Sequence, residues 1–136
     1  MGGFKEVHRQ SICVMAKRLS DTDKWNDDWY LSLSNDYRII WQWLLDKCNH
    51  AGICRRSIQL LNMDCNTQVT EDQMIEIMDG RVIVLDNKWF IPKFLCFQYN
   101  DLTSNRAVIV SAIKELKKGS FYKHVEKIYG KAFFNG

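Results

Sequence analysis

Eight of the basic side chains between residues 55 and 118 have the types and spacing to bind an anionic polymer. Lysine supplies a hydrated point charge that positions a phosphate backbone, whereas the planar fork of arginine can bind a phosphate or a guanine edge in a bidentate manner. The candidate DNA-binding residues are Arg55, Arg56, Lys88, Lys93, Arg106, Lys114, Lys117 and Lys118. The alternative is an ordinary solvated surface, because the net charge of +3 is low for a DNA-binding domain.

Residues that could support catalysis or bind a metal form no established motif. The sequence lacks a Ser-His-Asp order, a phosphate-binding glycine loop and an H-E-x-x-H motif. The acids of a nuclease alternative are Asp21, Asp23, Asp27 and Asp28, and the ligands of a zinc alternative are Cys48, His50, Cys54 and Cys65. Because clustered acids are usually only solvated and these cysteines lack zinc-site spacing, we expect no enzymatic activity, no metal and no other cofactor.

An aromatic cluster alternates with basic residues near the middle of the chain. Its members are Trp89, Phe90, Phe94, Phe97 and Tyr99, with Lys88 and Lys93 among them. This composition suits a platform on which single-stranded nucleic acid stacks its bases. Burial against helices competes with that role, and strand alternation places Trp89 and Phe90 on opposite faces. We favour the core interpretation.

The other tryptophans predict a hydrophobic seam or an interface. Trp41 and Trp43 lie roughly 200° apart around a helix, so they cannot both face one core. One of the two must meet the N-terminal arm, a second surface or a partner chain. We take Trp25, Trp29 and Trp43 as candidate partner-interface residues, and a homodimer is one possible use of them.

Four helices and a hairpin must position these side chains. Ser34 predicts the start of an amphipathic helix over 34–49, with Gly52 as the left-handed residue that ends it. Ser57 caps a second helix, and Thr70 with Gln73 forms a capping box for a third. Two β-rich runs at 81–85 and 88–91 flank a turn and predict a hairpin, and a short strand is allowed at 53–54. A fourth helix covers 108–118, and a shorter one follows Ser120.

This order predicts a mainly helical α+β fold of the winged helix-turn-helix type: helix 1, short strand, helix 2, helix 3, hairpin, helix 4. The same scaffold also serves protein–protein contacts. The third helix is acidic, because segment 61–80 carries five acidic residues and no basic one. Phosphates would repel that helix, so we expect the hairpin, the start of the second helix and the fourth helix to contact DNA.

Length and composition predict one globular domain. The chain has 136 residues, 46% of them apolar, and no apolar run long enough to cross a membrane. We expect an N-terminal arm at 1–24, a single domain at 25–130 and a frayed tail at 131–136. Residues 1–14 are a candidate dispensable extension, since Met15 could be an internal start. Five cysteines without a C-x-x-C pair fit a reducing compartment.

Three stretches carry a family likeness: Met15-Ala-Lys-Arg-Leu-Ser-Asp-Thr-Asp-Lys-Trp25, Leu44-Leu-Asp-Lys-Cys-Asn-His-Ala-Gly-Ile53, and Lys88-Trp-Phe-Ile-Pro-Lys-Phe94 with Phe97-Gln-Tyr99. Together they resemble the N-terminal winged-helix domain of phage and mobile-element replication initiation proteins, the replisome organisers. The resemblance implies DNA binding at a replication origin, contact with a helicase loader or primosome proteins, and a cytoplasmic location in a bacterial host. The alternatives are a protein-interaction module that uses the acidic helix and exposed tryptophans, and a winged-helix transcription regulator.

Overall fold

A computed structural model describes residues 22–95 and 106–129 of the chain. Several sequence predictions lie outside these residues: the extension 1–14, the Met15 start, most of the arm, the tail 131–136, and the side chains of Cys13, Asp21, Cys96, Phe97 and Tyr99. None of the described helices is long and apolar enough to cross a membrane.

The described residues form six α-helices, one short 3-10 helix and three short strands. In chain order these are the 3-10 helix Thr22–Asn26, α1 (Asp28–Ser32), α2 (Asn35–Lys47), β1 (Ile53–Arg55), α3 (Ile58–Cys65), α4 (Glu71–Met78), β2 (Ile83–Leu85), β3 (Lys88–Phe90), α5 (Arg106–Lys117) and α6 (Phe121–Tyr129). The predicted α+β class is confirmed, because the helices accompany a small antiparallel sheet. The sequence did not predict the 3-10 helix or α1.

The predicted caps are present at the starts of three helices. The hydroxyl of Ser34 accepts from the N–H of the third residue of α2, and Ser57 does the same for α3. At α4 the Thr70 hydroxyl accepts from the Gln73 N–H at 3.1 Å, while the Gln73 side chain accepts from the Thr70 N–H at 3.0 Å. Local sequence therefore set these three helix starts.

Gly52 has a different role from the helix end that the sequence predicted. The helix α2 ends at Lys47, and Cys48 follows it in extended conformation. Gly52 has φ +88° in the turn before β1, where its carbonyl accepts from the Ile91 N–H at 2.9 Å. The side-chain oxygen of Asn49 accepts from two N–H groups in the same turn. Gly52 thus shapes the entry to the sheet rather than the end of the helix.

The sheet has the order β1-β3-β2, and both pairings are antiparallel. The hairpin turn is Asp86-Asn87, and both residues have positive φ, 52° and 59°. This is the two-residue turn geometry that matches the twist of a hairpin, so the predicted hairpin is confirmed. The short strand β1 pairs with β3 and makes β3 the central strand.

Both faces of β3 are buried, which creates two adjoining cores. Trp89 belongs to the core formed with α2, α3 and α4, whereas Phe90 belongs to a second core formed with α5 and α6. Each of the two side chains is 0% exposed. The predicted alternation is confirmed, and covering the sheet on both sides fixes where α5 and α6 lie relative to the hairpin.

Candidate nucleic-acid interface

Three of the predicted DNA-binding residues line one groove between the sheet and the end of α5, which we call the basic groove. Arg55 ends β1, Lys88 begins β3, and Lys118 follows α5; all three are exposed. Arg55 and Lys88 are direct partners across the β1–β3 ladder. Like charges directly opposite each other destabilise a sheet, so folding alone does not account for this pair.

The two carboxylates in this basic groove, Asp86 and Glu115, have partners of their own. Asp86 accepts from the Ser120 N–H at 2.6 Å and from its hydroxyl at 3.1 Å. Glu115 accepts from the Lys118 ammonium at 2.8 Å, which lowers the pKa of Glu115. Among the described residues, no carboxylate lies within 4.0 Å of Arg55 or Lys88. Those two cations are therefore free to bind an external anion.

Arg56 lies next to the basic groove, but its fork is occupied. Its Nε and Nη2 donate to the two carboxylate oxygens of Glu71 at 2.8 and 2.7 Å, and its Nη1 donates to Asn87 at 3.0 Å. The hydrogen bond to Glu71 raises the pKa of Arg56. The guanidinium of Arg56, which the sequence predicted to bind a DNA phosphate, thus binds the carboxylate of Glu71 instead.

Of the remaining four candidates, three lie outside the basic groove, and the structure does not describe the side chain of the fourth, Arg106. Lys93 lines a separate cleft with Asp27 and Asp79. Lys114 and Lys117 are exposed on α5, and the Lys117 ammonium lies 5.0 Å from the Tyr122 ring centre. Arg106 begins α5, and its side chain is not among those that the structure describes.

Three members of the aromatic cluster are part of the core. Trp89, Phe90 and Phe94 are all buried, so the core interpretation is confirmed for these three residues. The aromatic side chain that lines the basic groove in the described part of the chain is Phe121, which is itself buried. These three side chains therefore offer no stacking platform beside Arg55 and Lys88.

Two of the three candidate interface tryptophans are held within the chain. Trp29 packs edge-on against buried Trp41 at 5.4 Å between ring centres, and its Nε1 donates to a carbonyl of α4. Trp43 is half-buried and donates from Nε1 to Asp64 of α3 at 2.9 Å. Trp41 lies within the core formed with α2, α3 and α4, and Trp43 packs half-buried against the same core, so the prediction that the two cannot both face one core is wrong. Trp25, which packs edge-on against Tyr30, remains 56% exposed.

The structure also shows contacts that sequence reasoning missed. Asp86 accepts hydrogen bonds from the residue preceding α6 across a separation of 34 positions, and His50 contacts the Ser111 hydroxyl of α5 at 3.0 Å. Aspartate is common in tight turns, so Asp86 indicated the hairpin, but the sequence did not show that its carboxylate binds Ser120. Among the described residues, no three histidine, cysteine or acidic side chains gather in a way that could hold a metal ion.

The chain was compared with protein-family models, with curated proteins and with solved structures. None of the three comparisons finds a match. The resemblance to replication initiation proteins therefore rests on the quoted sequence stretches, and the basic groove has to be interpreted from its own geometry.

Proposed function

We propose that this chain is a non-enzymatic winged-helix module that binds DNA in the replication initiation of a phage or mobile element. In a winged-helix fold a strand follows the first helix and a hairpin follows the third. Here α2, α3 and α4 are the three helices, β1 follows α2, and the hairpin of β2 and β3 follows α4. This order supports the winged-helix assignment. The role in replication, with a helicase loader or primosome proteins as partners, rests on the family resemblance.

The observation that carries DNA binding is the uncompensated pair Arg55 and Lys88 beside Lys118. A protein that needed only stability would place an acid opposite one of these cations. In the proposed complex the three side chains bind backbone phosphates, and each contact releases condensed counterions from the DNA. Lys114 and Lys117 extend the positive charge along α5.

Rigid support of the hairpin favours this use. Asp86 fastens one side of the turn to Ser120, and Arg56 fastens the other side through Asn87. Both contacts hold β3, and hence Lys88, in one position. Fewer side-chain and backbone motions then have to be frozen on binding, which increases the affinity obtained from each phosphate contact.

Salt-dependent binding to a DNA duplex tests the proposal. Neutralising four to six phosphates predicts a log–log slope of about −4 to −5 for the unmodified chain. Changing Arg55, Lys88 and Lys118 together to Gln should flatten that slope by about 2 to 3, and Lys88→Gln alone by about 1. The matched control is Lys93→Gln, since Lys93 lines a different cleft and its change should leave the slope nearly unaltered.

A flat titration of the unmodified chain would contradict DNA binding by this domain. Equal effects of Lys88→Gln and Lys93→Gln would contradict the basic groove as the binding site. A transcription regulator would show the same slope, so that alternative is separated by the neighbouring genes: helicase-loader or primase genes next to this one favour replication.

A further inference from the structure

A second groove lies between the α1–α2 junction and the C-terminal turn of α4, and it shares no residue with the basic groove. Its main lining residues are Trp29, Leu33, Tyr37, Glu76, Ile77 and Asp79. We call it the acidic groove, because its lining includes two carboxylates and no basic side chain.

The floor of the acidic groove is apolar and fixed. Trp29 is anchored by its hydrogen bond to the Ile77 carbonyl at 3.2 Å and by its edge-on contact with Trp41. Ile77 is 38% exposed beside it. A held indole next to an exposed aliphatic side chain provides a surface on which another apolar side chain can pack.

The charges of the acidic groove are unfavourable for the isolated chain. Glu76 lies in the last turn of α4 and Asp79 caps its C-terminus, where the helix dipole already places negative charge and no basic residue occupies the last turn. Within the described ranges, neither carboxylate has a cation within 4.0 Å.

Arg81 contacts the floor of the acidic groove and forms no ion pair with Glu76 or Asp79. The guanidinium of Arg81 lies 3.8 Å from the Trp29 ring centre and donates to the Met78 carbonyl. Glu76 and Asp36 both act on the Tyr37 hydroxyl, whose pKa is raised first by burial and then by these two charges. Glu76 and Tyr37 both line the acidic groove.

We propose that the acidic groove binds a short cationic segment of a partner protein. In this complex an aliphatic side chain of the partner packs on Trp29 and Ile77, and its lysine or arginine side chains pair with Glu76 and Asp79. Charge complementarity selects this occupant, since nucleic acid and acidic peptides would be repelled. The partner's cations would offset the charge that the helix end of α4 leaves uncompensated.

Isothermal titration with a synthetic peptide rich in lysine, arginine and leucine tests the binding. The control peptide has glutamate in place of every basic residue. We expect the basic peptide to bind with a Kd on the order of 10–100 μM at low salt and the control peptide not to bind. Glu76→Gln and Asp79→Asn should each weaken binding about 2–5-fold, as expected for partly exposed ion pairs.

Thermal stability separates a binding role from a structural one. Glu76→Gln removes an unfavourable charge at a helix end, so it should raise Tm by about 1–4 °C while weakening peptide binding. The matched control is Asp72→Asn in the first turn of α4, where the dipole favours an acid. That change should lower Tm slightly and leave peptide affinity unaltered.

Three results would overturn the proposal. The first is equal binding of the basic and glutamate peptides, or no binding of either. The second is a fall in Tm for Glu76→Gln, which would mean that a cation of this chain already offsets the charge. The third is a concentration-dependent dimer that Glu76→Gln dissociates, which would assign the acidic groove to a second copy. DNA binding is measured separately and does not depend on these outcomes.

Discussion

The guanidinium of Arg56 and the carboxylate of Glu71 form a bidentate ion pair with donor–acceptor distances of 2.8 and 2.7 Å. This pair joins the segment after β1 to the first turn of α4. Glu71 also accepts from the Nε1 of Trp89, and Arg56 also donates to the hairpin turn at Asn87. One polar cluster thus fastens the acidic helix to the hairpin and satisfies a buried indole.

Removing the Glu71 carboxylate should destabilise the fold through Trp89. Its Nε1 donates to Glu71 at 3.1 Å, and the Trp89 side chain is fully buried, so the donor would be left without a partner. We expect Glu71→Ala to lower the free energy of unfolding by about 2–3 kcal/mol and Glu71→Gln, which keeps an acceptor, by about 1 kcal/mol. Urea unfolding measures both, and equal losses would contradict the role of the indole.

The same carboxylate should make stability depend on pH. The hydrogen bond from Arg56 and, less strongly, that from Trp89 lower the pKa of Glu71 below its ordinary value of 4.5, against the opposing effect of burial. A lowered folded pKa stabilises the chain above the unfolded pKa, and this stabilisation is lost as pH falls through the folded pKa. The Tm difference between the unmodified chain and Glu71→Gln should therefore shrink below about pH 4.5. A difference that stays constant down to about pH 3 would argue against this.

Gly52 should tolerate no side chain. It has φ +88°, and a Cβ would lie 2.6 Å from the Cβ of Phe94 and 2.8 Å from the Ile91 carbonyl oxygen. We expect Gly52→Ala to cost about 3 kcal/mol or more, since backbone strain and a core clash act together. Gly80 is the control, because it has φ +84° with nothing within 4 Å, so Gly80→Ala should cost only about 1–2 kcal/mol. Similar losses at both positions would show that the contact with Phe94 contributes nothing.

Changes at Asp86 should separate the loss of its hydrogen bonds from the strain of a positive φ. Asp86→Ala removes the hydrogen bonds to Ser120 and places alanine at φ 52°, so we expect a loss of about 2 kcal/mol. Asp86→Gly loses the same bonds without the strain and should cost about 1 kcal/mol less. Urea unfolding measures the loss for each variant. Equal losses for the two variants would show that alanine pays no strain at this φ.

Cys54 should be unreactive in the folded chain. It is 2% exposed, and burial raises the pKa of its thiol to about 11, although Lys47 and Lys88 act in the opposite direction. The nucleophile is the thiolate, so iodoacetamide at neutral pH should modify Cys54 at least about 100-fold more slowly in the native than in the denatured chain. Mass spectrometry of the peptide that contains Cys54 measures this. Rapid modification without denaturant would show that β1 opens readily.

Much of the local structure could be read from the sequence. Ser34, Ser57 and Thr70 start their helices, and Asp86-Asn87 turns the hairpin, since these signals act within a few residues. The sequence could not identify which charges are internally paired. Arg56 and Glu71 are 15 positions apart in the chain, and nothing in their local pattern distinguishes Arg56 from exposed Arg55.

The sequence by itself determined the α+β composition, the helix starts, the hairpin and the burial of Trp89 and Phe90, because these follow from backbone preferences and alternating apolar residues. Only the tertiary structure decided that Arg55, Lys88 and Lys118 share a groove while Arg56 and Lys93 lie apart from it. Side-chain proximity depends on how α4, α5 and α6 pack around the sheet. That packing is set by the two cores on either side of β3, to which residues distant in the chain contribute together.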